Sequence, residues 1–172
     1  MAIGLAARIG ASLGRAVIRA VSKQKNSGGN ISPSVYVEID DRNLEALLKR
    51  KANDIVSDIE KSLLKTAQYG TQIILDRTER GIGYKGQFEK YSPGYAKYRA
   101  QKGRGQTPDL NFSGRMLSSI QQRKVGRGVA EIYFGRATEA KKAAFNNQKR
   151  PFFGFNSSEK DKLQKFFSRD FK

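Results

Sequence analysis

The sequence predicts an α+β domain: one long helix packed on a small, mostly antiparallel sheet, with short peripheral helices and an extended N-terminal amphipathic arm. Three observations carry that prediction. Leu44, Leu48, Ala52, Ile55, Ile59, Leu63, Ala67, Gly70, Ile74 and Thr78 step by three or four, the period of one helix face. Val35, Val37 and Ile39 alternate with Tyr36 and Glu38, the period of a strand. Two more strand-like runs, 120–125 and 129–134, flank Gly126-Arg127-Gly128, a natural hairpin loop.

Along the chain, residues 1–24 read as an amphipathic helix. Leu5, Ile9, Leu13 and Val17 share its apolar face, and Arg8, Arg15 and Arg19 lie on the other. Gly4, Gly10 and Gly14 each cost about 1 kcal/mol against Ala, so this arm is expected to form only when docked. A Gly/Asn/Ser linker, 26–30, separates the arm (1–30) from one α+β domain (31–172). After the strand at 34–39, Asp40-Asp41 are placed to cap a helix over 42–80, about 55 Å long. Residues 81–111 read as a basic, Gly- and Tyr-rich loop interrupted by a short helix from Ser92-Pro93 to Gly103. A further short helix is expected over 113–120 with Ser113 as cap, then the hairpin, then a helix over 137–147. Arg150 to Phe155 form an apolar turn, and Ser158 is expected to cap a last helix carrying Leu163, Phe166, Phe167 and Phe171.

Composition narrows the chemistry. The chain has 172 residues, 33 Lys and Arg against 16 Asp and Glu, a net charge of +17, and no Cys, His or Trp. Thiolate and imidazole metal sites, disulfides and His-dependent nucleophile systems are therefore excluded. The excess of positive charge points to an anionic partner. It is uneven: residues 31–80 hold eight basic and nine acidic residues, whereas 81–128 hold ten and two. Lys85, Lys90, Lys97, Arg99, Lys102 and Arg104 are candidates for phosphate contact, as are Arg123, Lys124 and Arg127. For the interleaved tyrosines a core role outweighs base stacking. No helix-turn-helix or zinc module is present, so any nucleic-acid contact is expected to be sequence-independent.

Other signals carry less. Gly81-Ile82-Gly83-Tyr84-Lys85-Gly86 matches a dinucleotide fingerprint in letters only, since it follows a helix and leads into a loop. Asp109 with Glu139 and Lys141 faintly resembles an acidic nuclease site, but a turn and an Ala/Lys-rich helix explain these residues better. No catalytic residue, cofactor or small-molecule substrate is expected. The Arg-bearing arm suits a membrane surface, a targeting segment or a neighbouring subunit equally.

Three segments resemble the tailed-bacteriophage virion morphogenesis, or tail completion, family of Mu-type minor virion proteins. They are Tyr91-Ser92-Pro93-Gly94-Tyr95-Ala96, then Leu110-Asn111-Phe112-Ser113-Gly114-Arg115-Met116-Leu117-Ser118-Ser119-Ile120, and, after the hairpin, Arg150-Pro151-Phe152-Phe153-Gly154. The likeness covers residues 40–172. It departs at Ala144-Phe145-Asn146-Asn147-Gln148, where the family often carries an aromatic residue or His followed by Gln-Phe-Gly. The resemblance implies a non-enzymatic ring subunit, six-fold, at the head–tail junction of the virion, present in the host cytoplasm during assembly. Its partners would be copies of itself, portal-side or tail proteins, and packaged double-stranded DNA bound without sequence specificity. It also implies structural roles for the motif residues: Pro93 starts a helix, Gly114 permits close packing, Leu117 and Ile120 reach the core, and Pro151 and Gly154 set the last turn. The rival reading is a sequence-independent nucleic-acid-binding protein of the cell.

Overall fold

The structure, a computed structural model, describes residues 17–18, 21–24, 33–40 and 52–171, with side chains from residue 55 onward. The architecture is α+β. Strands β1 (Val17–Ile18), β2 (Val21–Gln24), β3 (Pro33–Asp40), β6 (Ile120–Gly126) and β7 (Val129–Phe134) form one antiparallel sheet in the order β1-β3-β7-β6, with β2 also on β3. Strands β4 (Ile82–Gly83) and β5 (Gly86–Gln87) make a separate small hairpin. Among the described residues there are four α-helices: α1 (Ala52–Glu79), α2 (Pro93–Gln101), α3 (Ala137–Lys149) and α4 (Ser157–Asp170).

Helix α1 is the scaffold. Its 28 residues span about 42 Å without a proline. Ile59, Leu63, Ala67, Ile74 and Thr78 are buried, as their spacing predicts, against β7 and α4. Gly70 is required there by packing: a β-carbon would stand 2.8 Å from the Phe155 ring and 3.3 Å from Ile132 Cδ1. Thr66 and Thr71 satisfy their hydroxyls on the Ser62 and Ala67 carbonyls one turn back. That bonding satisfies these two hydroxyls on the buried face. No described helix is long and apolar enough to cross a membrane.

The core closes on aromatic rings. Phe134 on β7 meets Phe153 at 4.7 Å and Phe152 at 6.3 Å between centroids. Both partners are fully buried. Burying each contributes about 2–3 kcal/mol. Arg77, itself buried on α1, donates to the Phe152 carbonyl at 2.6 Å and the Gly154 carbonyl at 2.8 Å, and pairs with Glu159 of α4. The Phe152 and Gly154 carbonyls of the turn before α4 are thereby satisfied by the scaffold helix, and at Gly154 a β-carbon would stand 2.8 Å from the Tyr84 ring.

Several expectations are corrected. Residues 17–18 and 21–24 are strands on β3, not the end of a helix. The β-branched Val17, Ile18 and Val21 favour the extended ladder, which an otherwise open edge of β3 supplies. Val17 therefore belongs to the sheet, and part of the 1–30 arm joins the domain. Leu5, Arg8, Ile9, Leu13, Arg15 and Arg19 lie outside the described residues, as do the 26–30 linker and the helix start near 42. Within 81–111 the expected short helix is present as α2, but the segment before it is not a loop: Gly81 to Gln87 form the β4–β5 hairpin.

The helix expected over 113–120 reduces to a single 3-10 turn, Leu117–Ser119. Ser118 and Ser119 turn their hydroxyls onto the Arg115 and Met116 carbonyls, competing with helix propagation. Gly114 is needed for its φ of +76° rather than for close packing, since the nearest atom to a β-carbon there is 3.9 Å away. Leu117 and Ile120 are buried as expected. Helix α4 is capped by Asn156, not Ser158: Asn156 accepts from the Glu159 N–H, and the Glu159 carboxylate accepts from the Asn156 N–H.

Candidate functional site

Pro93 opens α2 as expected, although the Ser92 side chain makes no capping bond. The helix then presents Tyr95 and Tyr98 on one face, one turn apart, with Tyr91 just before it. The rings form a ladder. Tyr91 meets Tyr95 edge-on at 5.0 Å, Tyr95 stacks on Tyr98 at 6.2 Å, and Tyr98 stacks on Phe112 at 5.7 Å. Tyr95 is 40% exposed and Tyr98 45%. The expectation that these tyrosines fill the core is thus corrected. The core aromatic of this segment is Phe88, buried beneath the β4–β5 hairpin, and Tyr91 is half-buried.

Arg99, expected to meet phosphate, is 1% exposed and does something else. Its guanidinium donates to the Gly105 carbonyl at 2.8 Å and to the Asp109 carboxylate at 2.9 Å. It lies 4.9 Å from the Tyr91 centroid and 5.9 Å from that of Phe112. One buried cation therefore holds the 102–112 loop against α2. Leu110 within that loop has φ +55°, a conformation costly for a branched side chain. Two neighbours hold it. The Leu110 N–H donates to the Tyr91 hydroxyl at 3.1 Å, and the Asp109 carboxylate accepts from the Asn111 N–H at 2.9 Å. Burial pushes the Tyr91 phenol above its usual 10.0, against the opposing pull of the Leu110 N–H and Arg99.

Arg150 covers the other side of the assembly. It lies 4.9 Å from the Tyr91 centroid and donates to the Glu89 and Lys90 carbonyls at 2.9 and 3.1 Å. Beside this cluster opens a cleft of about 770 Å³. Tyr95, Tyr98 and Phe112 line it, with Lys90, Lys142, Lys149 and Arg150 among its cations and Glu89 and Glu139 as its acids. Glu139 is paired with Lys142 at 2.9 Å.

The other candidates divide. Lys102 lies 5.9 Å from the Tyr98 centroid, close to the ladder. Lys97 and Arg104 are exposed but do not line the cleft, and Lys85 sits in the turn of the β4–β5 hairpin over Tyr84. Arg123 and Lys124, expected to face DNA, are committed to Glu131 at 2.7 Å and Glu60 at 2.6 Å. Arg127 is exposed at the β6–β7 turn. The Asp109 carboxylate is paired with Arg99, and that of Glu139 with Lys142. Among the described residues no group of three Asp, Glu, His or Cys side chains converges.

The Gly81 to Gly86 segment likewise has a packing role. At Gly83 a β-carbon would meet the Pro151 carbonyl oxygen at 2.3 Å, because the hairpin docks there through the Tyr84 N–H bond to the same oxygen. Sequence reasoning missed Lys142, Lys149 and Phe145. Phe145 on α3 is 69% exposed, the most exposed of the large apolar side chains described. The signal for it was an aromatic residue in an Ala/Lys-rich helix. Comparison with family models, with curated proteins and with solved structures finds no match.

Proposed function

We propose that the chain is a structural subunit of a tailed-phage virion, forming a tail completion or head–tail joining ring around the DNA channel. The observation that carries this reading is the convergence of the three resembling segments on one ring. Tyr91 of the first segment accepts from Leu110 of the second and lies under Arg150 of the third. Residues of the three separated segments thus build one cluster, and that shared role supports reading the segments together.

Two further features suit assembly. Phe145 projects from α3 in the stretch where the sequence departs from the family pattern, and a large exposed apolar side chain suits a subunit contact. Basic residues spread over the surface attract a duplex without base readout and without a fixed grip. In a closed ring each subunit offers two different faces, so the contact is heterologous. The role is structural, with no chemical step. Native mass spectrometry of the full chain and of a chain lacking residues 1–16, which keeps β1 and β2 on the sheet, tests the proposal. A closed oligomer of one size, weakened by the truncation, is expected. A monomer that binds duplex DNA in a steeply salt-dependent way would instead support a nucleic-acid-binding protein of the cell.

A further inference from the structure

We infer that the Tyr95–Tyr98 face of α2 and the adjoining cleft bind single-stranded nucleic acid, a base stacking on the tyrosines while flanking phosphates lie on Lys90, Lys149 and Arg150. The inference goes beyond the ring reading and does not depend on it.

The rings are exposed, yet they are held. Tyr98 is stacked on Phe112, and Tyr95 rests on Tyr91, whose ring lies 4.9 Å from both the Arg99 and the Arg150 guanidinium. A pair of solvent-facing aromatics fixed from beneath is a platform that pays little ordering entropy on binding. Charge selects the ligand. Arg99 is neutralised by Asp109, and Lys142 by Glu139, which leaves Lys90, Lys149 and Arg150 facing the cleft against Glu89. Lys102 adds a cation beside Tyr98. A cationic ligand is disfavoured by that surplus, and an anion with a flat ring is favoured. The cleft volume lies in the usual range for a bound small group. Bases in a duplex are stacked on one another and cannot offer a face, so the strand must be single.

The test is fluorescence anisotropy with the full chain at fixed salt. Three probes are compared: a labelled oligothymidylate of about 15 nucleotides, an abasic strand of the same length, and a duplex of that length. Oligothymidylate is expected to bind at least about 10-fold tighter than the abasic strand. The double substitution Tyr95→Ala with Tyr98→Ala should bring the two together while the protein stays folded by circular dichroism, and Tyr95→Phe with Tyr98→Phe should keep the difference. Equal affinity for oligothymidylate and abasic strand in the unaltered protein, or tighter binding of the duplex, overturns the inference whatever the variants do. An acidic, Glu-rich peptide that displaces oligothymidylate at comparable affinity would assign the cleft to a protein partner and overturn it as well.

Discussion

The Arg150 guanidinium lies 4.9 Å from the centroid of the Tyr91 ring while its N–H groups are donated to the Glu89 and Lys90 carbonyls. A planar guanidinium can lie against the ring while donating to both carbonyls in its own plane, and a tetrahedral ammonium has no such flat face. Arg150→Lys is expected to cost about 1–2 kcal/mol in urea denaturation. In a double-mutant cycle with Tyr91→Leu the pair should couple by about 1 kcal/mol. Additive losses would mean that the ring and the cation act independently.

Arg77 presents a harsher case. It is buried with Glu159 and satisfies two carbonyls of the turn that carries Phe152 and Gly154. Arg77→Met leaves the Glu159 carboxylate buried without its cation and is expected to destabilise by about 3–5 kcal/mol. Adding Glu159→Gln should recover part of that loss, because the stranded charge is removed. Thermal or urea unfolding of the two variants checks both.

Gly83 separates packing from nucleotide chemistry. With the Pro151 oxygen 2.3 Å from any added β-carbon, Gly83→Ala must push the β4–β5 hairpin off the turn. A loss of about 1–3 kcal/mol in stability is expected, with no change in affinity for NAD or ATP by calorimetry. Measurable nucleotide binding by the unaltered protein, lost in the variant, would contradict this account.

The Tyr91 phenol fixes the sign of an alkaline effect. Its pKa is raised, chiefly by burial, so the folded state favours the protonated ring. That contribution is complete below pH 10.0, the ordinary value, and is lost as pH climbs through the higher native pKa. Tyr91→Phe lacks this loss. The phenolate absorbance difference between the unaltered protein and the variant should therefore titrate above pH 10.0. A midpoint at or below the ordinary value would contradict the burial of the phenol.

Much of this was legible in the sequence, and what was not has physical causes. The stripe from Ile59 to Thr78, the alternation in β3 and the hairpin at Gly126 to Gly128 are local periodicities, and each maps onto an element. Pro93 marked its helix because its fixed φ suits the first turn. The 3-10 turn at Leu117 was hidden because the Ser118 and Ser119 hydroxyls, inside the expected helix, bond carbonyls three residues back and compete with its propagation. The strands at 17–24 were hidden because their stability comes from pairing with β3, which no local window contains. The burial of Arg99 was equally invisible. Its partners Gly105 and Asp109 lie along a loop whose path is set by the guanidinium itself, so a basic residue in a basic stretch read as surface. The site's aromatic ladder was noticed as composition, but exposure of Tyr95 and Tyr98 is decided by which face of α2 turns inward.

The claim that copies of this chain close into a ring is tested most directly by electron microscopy of the purified full-length protein beside its Phe145→Asp variant. The account predicts closed rings of one size with a central channel wide enough for duplex DNA. It also predicts their loss in the variant at an unchanged thermal midpoint. Monomers, dimers or open-ended filaments in place of rings, or rings untouched by a charge at Phe145, would contradict it.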